Sequence, residues 1–229
     1  MNRVLAFAAV GLGLFVAQPA EAQWTFRVSP YVWANGMSGN LRVNDGPLVP
    51  VDGSVSDFDF APMFVFSGSG PRWGFMSDLA FTPGTIRAGD SALDIDNFIW
   101  TAVVTFDVNA SPTSDVRVGL GARLFTTDAM IVGPVGGGEE GSRTWVDPIA
   151  SLQGTVGDRV YFNGYGDIGG FGIASDLTYQ LYGAIGYQFT TVTSAELGYR
   201  VISHDYKDGT TFAYDIRQHG FLLGISFEF

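Results

Sequence analysis

The stretch from Phe212 to Phe229 restricts the fold of this chain more than any other. Phe221, Leu223, Ile225, Phe227 and Phe229 share one parity, while Gln218, Gly220, Leu222, Gly224, Ser226 and Glu228 share the other. Successive side chains of a strand point to opposite faces, so this is a strand with one apolar face and one small or polar face. About ten residues of tilted strand are enough to cross the hydrocarbon core of a bilayer. Two folds use such a strand: a transmembrane barrel with its apolar side to lipid, or a soluble sandwich with its apolar side to a core.

The beginning of the chain separates the two. Arg3 precedes an apolar and glycine run from Val4 to Val16, and Ala20-Glu21-Ala22 follows as a small-x-small cleavage pattern. Residues 1–22 are therefore expected to be a signal peptide and 23–229 an exported barrel domain. The run is too short for a helical span, which argues against the alternative of an uncleaved anchor. The chain has no cysteine, so neither a lipoprotein anchor nor disulfides nor thiolate metal sites are available. Beyond the signal no apolar run approaches the length of a membrane helix. The net charge is -11 and Lys207 is the only lysine, so no basic patch for nucleic acid exists. Thirty-one glycines and nineteen phenylalanines in short alternating segments suit a sheet facing lipid.

Alternation and turn residues divide 23–229 into strands. The first runs from Trp24 to about Asn35, with Tyr31 and Trp33 on the inner parity and a bulge expected at Pro30. Ser38 to Ser56 reads as a long loop holding a short hairpin around Asn44-Asp45-Gly46. Phe58, Phe60, Pro62, Phe64 and Phe66 form the outer face of a second strand. A third contains Trp73 to Phe81, Pro83 to Asp90 is a loop, and a fourth carries Phe98, Trp100, Val104 and Phe106 outward. The fifth points Val118, Leu120 and Leu124 out and Arg117 and Arg123 in, before an acidic loop from Pro134 to Gly141. Strands from Arg143 to Thr155, Arg159 to Gly169, Leu177 to Phe189, Ser194 to Tyr206 and the closing stretch complete the set. The expected fold is an all-β, antiparallel transmembrane barrel of ten strands. Eight stay open, and two short strands inside Ser38 to Ser56 would make twelve. Short turns alternate with longer connections, which places both termini on the periplasmic side.

A strand ending on an aromatic such as Phe229 resembles the closing strand of bacterial outer-membrane barrels, whose last residue is read by the assembly machinery. Trp145-Val146-Asp147-Pro148, Gly166-Asp167-Ile168-Gly169-Gly170-Phe171-Gly172 and Ser175-Asp176-Leu177-Thr178 resemble a proteobacterial family of small outer-membrane barrel proteins. Ser29-Pro30-Tyr31-Val32-Trp33-Ala34 and Leu197-Gly198-Tyr199-Arg200 fit it too. The resemblance implies residence in the outer membrane. The partners it implies are membrane lipid and lipopolysaccharide, with the barrel-assembly machinery and periplasmic chaperones during biogenesis. It carries over no activity and no cofactor.

By parity the inward charges are Arg27, Asp78, Arg117, Arg123, Asp147, Asp167, Glu196 and Arg200. Unpartnered charges in a narrow lumen are costly, so Asp147, Asp167 and Glu196 are the expected partners of the arginines. Glycines such as Gly186 and Gly198 leave room for side chains to lie across the bore. Gly164 to Gly172 lacks the helix and Lys-Ser/Thr of a phosphate loop. His204 and His219 take opposite parities, and Ser203-His204-Asp205 splay apart in a strand rather than forming a triad. No histidine–carboxylate cluster suggests a metal. The leading expectation is a non-enzymatic barrel with a filled lumen and a structural or surface-interaction role. A narrow solute channel and a lipid-modifying enzyme are the alternatives.

Overall fold

A computed structural model describes residues 24–59, 61, 63–88, 91–111, 113–133 and 138–229. The expected signal peptide at 1–22, along with Phe60, Pro62 and Pro134, lies outside the described residues. Eleven strands follow in order: β1 (Thr25–Arg42), β2 (Val49–Gly53), β3 (Met63–Ser69), β4 (Trp73–Ala88), β5 (Ser91–Ser111), β6 (Ser114–Val132), β7 (Gly138–Gly157), β8 (Val160–Gly169), β9 (Ser175–Gln188), β10 (Thr193–Asp208) and β11 (Phe212–Glu228). Each pairs antiparallel with its neighbours, and β11 pairs with β1 to close the sheet. At the seam Phe26 and Phe229 exchange two backbone hydrogen bonds of 2.9 Å. β2 lies along Met37–Leu41 of β1 and β3 along Thr25–Tyr31, on one edge. They share one position in the wall, so the barrel has ten strands rather than twelve.

Several segments expected as loops are wall. β1 runs on to Arg42 and turns through Asn44 and Asp45, both at positive φ (49° and 58°), with Gly46 N–H donating to the Val43 carbonyl at 2.9 Å. That is the backbone of a two-residue hairpin turn, so Ser38 to Ser56 is a hairpin arm followed by a 3-10 turn at Val55–Asp57. β4 and β5 pair up to Ala88 and Ser91, which takes Pro83 to Ala88 into the sheet. Gly138 to Gly141 pairs with β6 as the start of β7. Pro30 causes no bulge, because the register is the same on both sides of it. Phe58 does not face lipid. It is buried beside Gly53, Gly84 and Ile86.

The polarity of the wall inverts along its height. Near the termini Val104, Leu120, Leu152, Leu181, Ile185 and Leu223 are exposed on the outside. The apolar outer band spans Phe98 to Val108 on β5 and Val146 to Val156 on β7, close to the 9–11 residues a tilted strand needs. Aromatic clusters border it: Trp24, Phe26, Phe75 and Phe229 below, Phe81 with Phe98 and Tyr199 with Phe221 above. Such girdles mark the interfaces of membrane barrels. Farther from the termini the outward positions become Asp94, Asp96, Asp128, Thr144 and Asp215, while Ile95, Ile99, Phe125, Trp145 and Ile216 are buried inside. Below, the outside is apolar and the inside is polar. Above, the outside is polar and the inside is an apolar core.

The far mouth is covered. Val43 is 1% exposed, and the turn it begins reaches across to β7 and sideways to the neighbouring β10–β11 turn. Asn44 donates to the Glu140 carbonyl, Asp45 N–H donates to the Thr211 carbonyl at 3.1 Å, and Thr210 donates to the Asp45 carboxylate at 3.0 Å. β8 and β9 are short, so β7 above Ile149 has no strand beside it on that edge. Side chains bridge to β10 instead: Trp145 stacks on Tyr206 at 4.1 Å and Arg143 pairs with Asp208 at 3.1 Å.

Candidate functional site: the barrel interior

The interior falls into three layers. Farthest from the termini is the apolar core, in which Trp33, Met37, Leu41, Ile99, Phe125, Ile202, Tyr214 and Ile216 are buried. His204 belongs to it, packed on the Phe125 ring at 4.3 Å. These residues come from β1, β5, β6, β10 and β11, and each takes the inward parity of its strand.

The middle layer is charged and buried. Arg123 is fully enclosed and pairs with Asp167; its remaining donors reach Thr101 at 3.1 Å and Thr178 at 3.0 Å. Arg200 pairs with Asp78 at 3.0 Å and lies over the Trp33 ring at 4.8 Å. It also donates to the Tyr31 hydroxyl at 2.9 Å, which in turn donates to Asp78 at 2.6 Å. The Gln180 amide oxygen accepts from Arg200 at 2.8 Å and from Arg123 at 3.4 Å, joining the two pairs into one sheet of hydrogen bonds across the bore.

Below this layer a cavity of about 420 Å³ extends toward the end with the termini, lined by Arg27, Arg117, Gln153, Tyr165, Tyr182 and Glu196 among others. Tyr161 lies across Gly186 and Tyr182 across Gly198, where a Cβ would collide with the rings. Arg27 pairs with Glu228 at 2.8 Å, and Arg117 pairs with Asp115 at 3.0 Å while donating to Ser69 at 2.6 Å.

The eight inward charges do not pair as their order along the chain suggests. Arg27, Asp78, Arg117, Arg123, Asp167 and Arg200 are in ion pairs, but Asp147 and Glu196 have no arginine among the described residues. Asp147 sits opposite Arg123 in the β6–β7 register. It accepts instead from Ser175, at 2.8 Å from the backbone N–H and 2.6 Å from the hydroxyl, and from the Trp145 indole at 3.2 Å. Glu196 and Arg200 share a strand face, but four residues of strand separate them by roughly 13 Å. Glu196 accepts from Tyr182 at 2.8 Å and from Asn163 at 3.2 and 3.3 Å. Glu228 and Asp115 are partners outside the expected set, although Glu228 has inward parity on the closing strand. Gln180, Thr101 and Thr178 gave no signal beyond parity, because a neutral linker is defined only by what it meets across the bore.

Three sequence segments that stood out for their resemblance meet here. Asp147 from the first staples Ser175 from the third, and Gly170 N–H from the second donates to the Pro148 carbonyl at 3.1 Å. Gly170, Phe171 and Gly172 turn through three consecutive positive φ angles (84°, 52°, 72°), a path that favours glycine. The motif is thus the turn that ends β8 beside the charged layer. The two histidines remain on opposite faces, with His219 outside and bonded to Tyr199 at 2.9 Å.

No known family model matches the chain, and no curated protein is similar to it in sequence. Solved structures are similar in shape. The outer membrane protease OmpT from Escherichia coli superposes with a TM-score of 0.57 at 10% identity, over 90% of this chain and 97% of that one. Neisserial surface protein A gives 0.42 at 15% identity over 91% and 99%, and the attachment invasion locus protein Ail of Yersinia pestis gives 0.41 at 14% over 90% and 98%. At these identities the likeness is one of fold, and the fold is the closed antiparallel β-barrel of outer-membrane proteins.

Proposed function

We propose that this protein is an integral outer-membrane barrel that does not conduct, with a structural or surface-interaction role carried by its polar outer half. One observation carries the reading: the buried charged layer lies beneath an apolar core, and the β1–β2 turn covers that core. Ten strands also lie near the limit at which side chains fill a barrel, far from the sixteen or more of open porins. In the proposed orientation both termini face the periplasm. The apolar band meets membrane lipid, and the polar band above it meets lipopolysaccharide and the medium.

The reading is not enzymatic. The two histidines cannot share a site, and OmpT, although a protease, brings no catalytic residue across at 10% identity.

Purified protein in planar bilayers is expected to give no large, stable conductance. Such a conductance would put the narrow solute channel first. An epitope inserted beside Glu139, at the exposed start of β7, is expected to be detected on intact cells. Detection only after permeabilisation would reverse the orientation.

A further inference from the structure

The end of the barrel that holds both termini is not filled, and its chemistry is selective. Three arginines (Arg27, Arg117, Arg200) and four carboxylates (Asp78, Asp115, Glu196, Glu228) line the cavity of about 420 Å³. Each arginine already has a carboxylate within 3.0 Å. Arg117 has a further one, Asp107, at 3.8 Å. Among the described residues Glu196 is the one lining carboxylate without a basic partner. It is not loose, however. Asn163 donates to both of its oxygens and Tyr182 donates to one, at 2.8 to 3.3 Å. A carboxylate has about four acceptor sites, so this one is held in place by neutral donors with capacity left for a charged one.

We propose that this vestibule binds a small organic ammonium ion, with Glu196 as its counter-charge and the tyrosine rings as its walls. An ammonium N–H donor to a carboxylate makes a charge-assisted hydrogen bond, stronger than any that the neutral Asn163 and Tyr182 supply. Tyr31, Tyr165 and Tyr182 all line the same space, and the faces of aromatic rings attract cations. An anion finds no free cation there, because every arginine is neutralised by its own partner. A neutral solute leaves the charge of Glu196 uncompensated. Access is from the end with the termini, because the charged layer closes the other side. The site does not depend on which side of the membrane that end faces.

The test is titration calorimetry on the full barrel folded in non-ionic detergent, using n-butylammonium, n-butanol and butyrate as probes of one size and three charges. Butylammonium is expected to bind a single site, with the other two at least roughly tenfold weaker, about the ratio that one lost charge-assisted contact produces. Glu196→Gln is expected to lower butylammonium affinity by a similar factor while circular dichroism and gel mobility remain those of the folded barrel. Asn163→Lys, which sets an internal ammonium beside Glu196 instead of removing the carboxylate, is expected to weaken binding at least as much. The proposal is overturned if butylammonium does not bind, if butanol or butyrate binds as well, or if either folded variant binds like the parent.

Discussion

Arg123→Met is expected to destabilise the folded barrel by about 3–5 kcal/mol, the cost of stranding a buried charge. Both side chains of the Arg123–Asp167 pair are fully enclosed. The pair itself contributes little net stability, because the desolvation of two ions offsets most of their attraction. The loss comes from Asp167, left fully enclosed without its paired guanidinium. Asp167→Asn added to Arg123→Met should therefore recover much of the loss. Equilibrium urea titrations in lipid vesicles measure both, and a double variant no better than the single one would show that the charge is not the cause. Glu196→Ala should cost much less, since Glu196 is held by neutral donors beside an open cavity.

Leu181→Arg or Ile185→Arg should cost roughly 2–4 kcal/mol, as expected for an arginine near the bilayer midplane. The two side chains are 58% and 55% exposed on the outer face of β9, so the new guanidinium would have only hydrocarbon around it. Methionine at the same positions separates charge from size. Ala184, buried on the inner face, should respond to arginine and to methionine by crowding alone. Thr126→Arg is the informative contrast, because it faces outward at the upper border of the apolar band, beside Phe98. There the same charge should cost only about 0–1 kcal/mol. A large penalty at Thr126 would move the membrane boundary outward and undo the assignment of the upper half to water.

Along the apolar band, most of the wall was legible in the order of residues. Alternation is local, so Leu181 and Ile185 could be assigned outward, and Gln180, Arg123 and Arg200 inward, from parity alone. It also separated the two histidines. Beyond the apolar band the same rule holds with its sign reversed. Leu93-Asp94-Ile95-Asp96 alternates as cleanly as any segment of the band, but its apolar positions point inward. The apolar-outward pattern therefore ends at Phe81 and Phe98, and Pro83 to Asp90 and Ser38 to Ser56 lack it.

Which charges meet depends on closure of the barrel. Arg123 passes over its register neighbour Asp147 for Asp167 on β8, and Gln180 on β9 ties it to Arg200 on β10. Distance along one strand is set by the chain, at about 3.3 Å per residue. Distance across the bore is set by strand tilt, register and closure together. Those are properties of the whole barrel that no local stretch of residues contains.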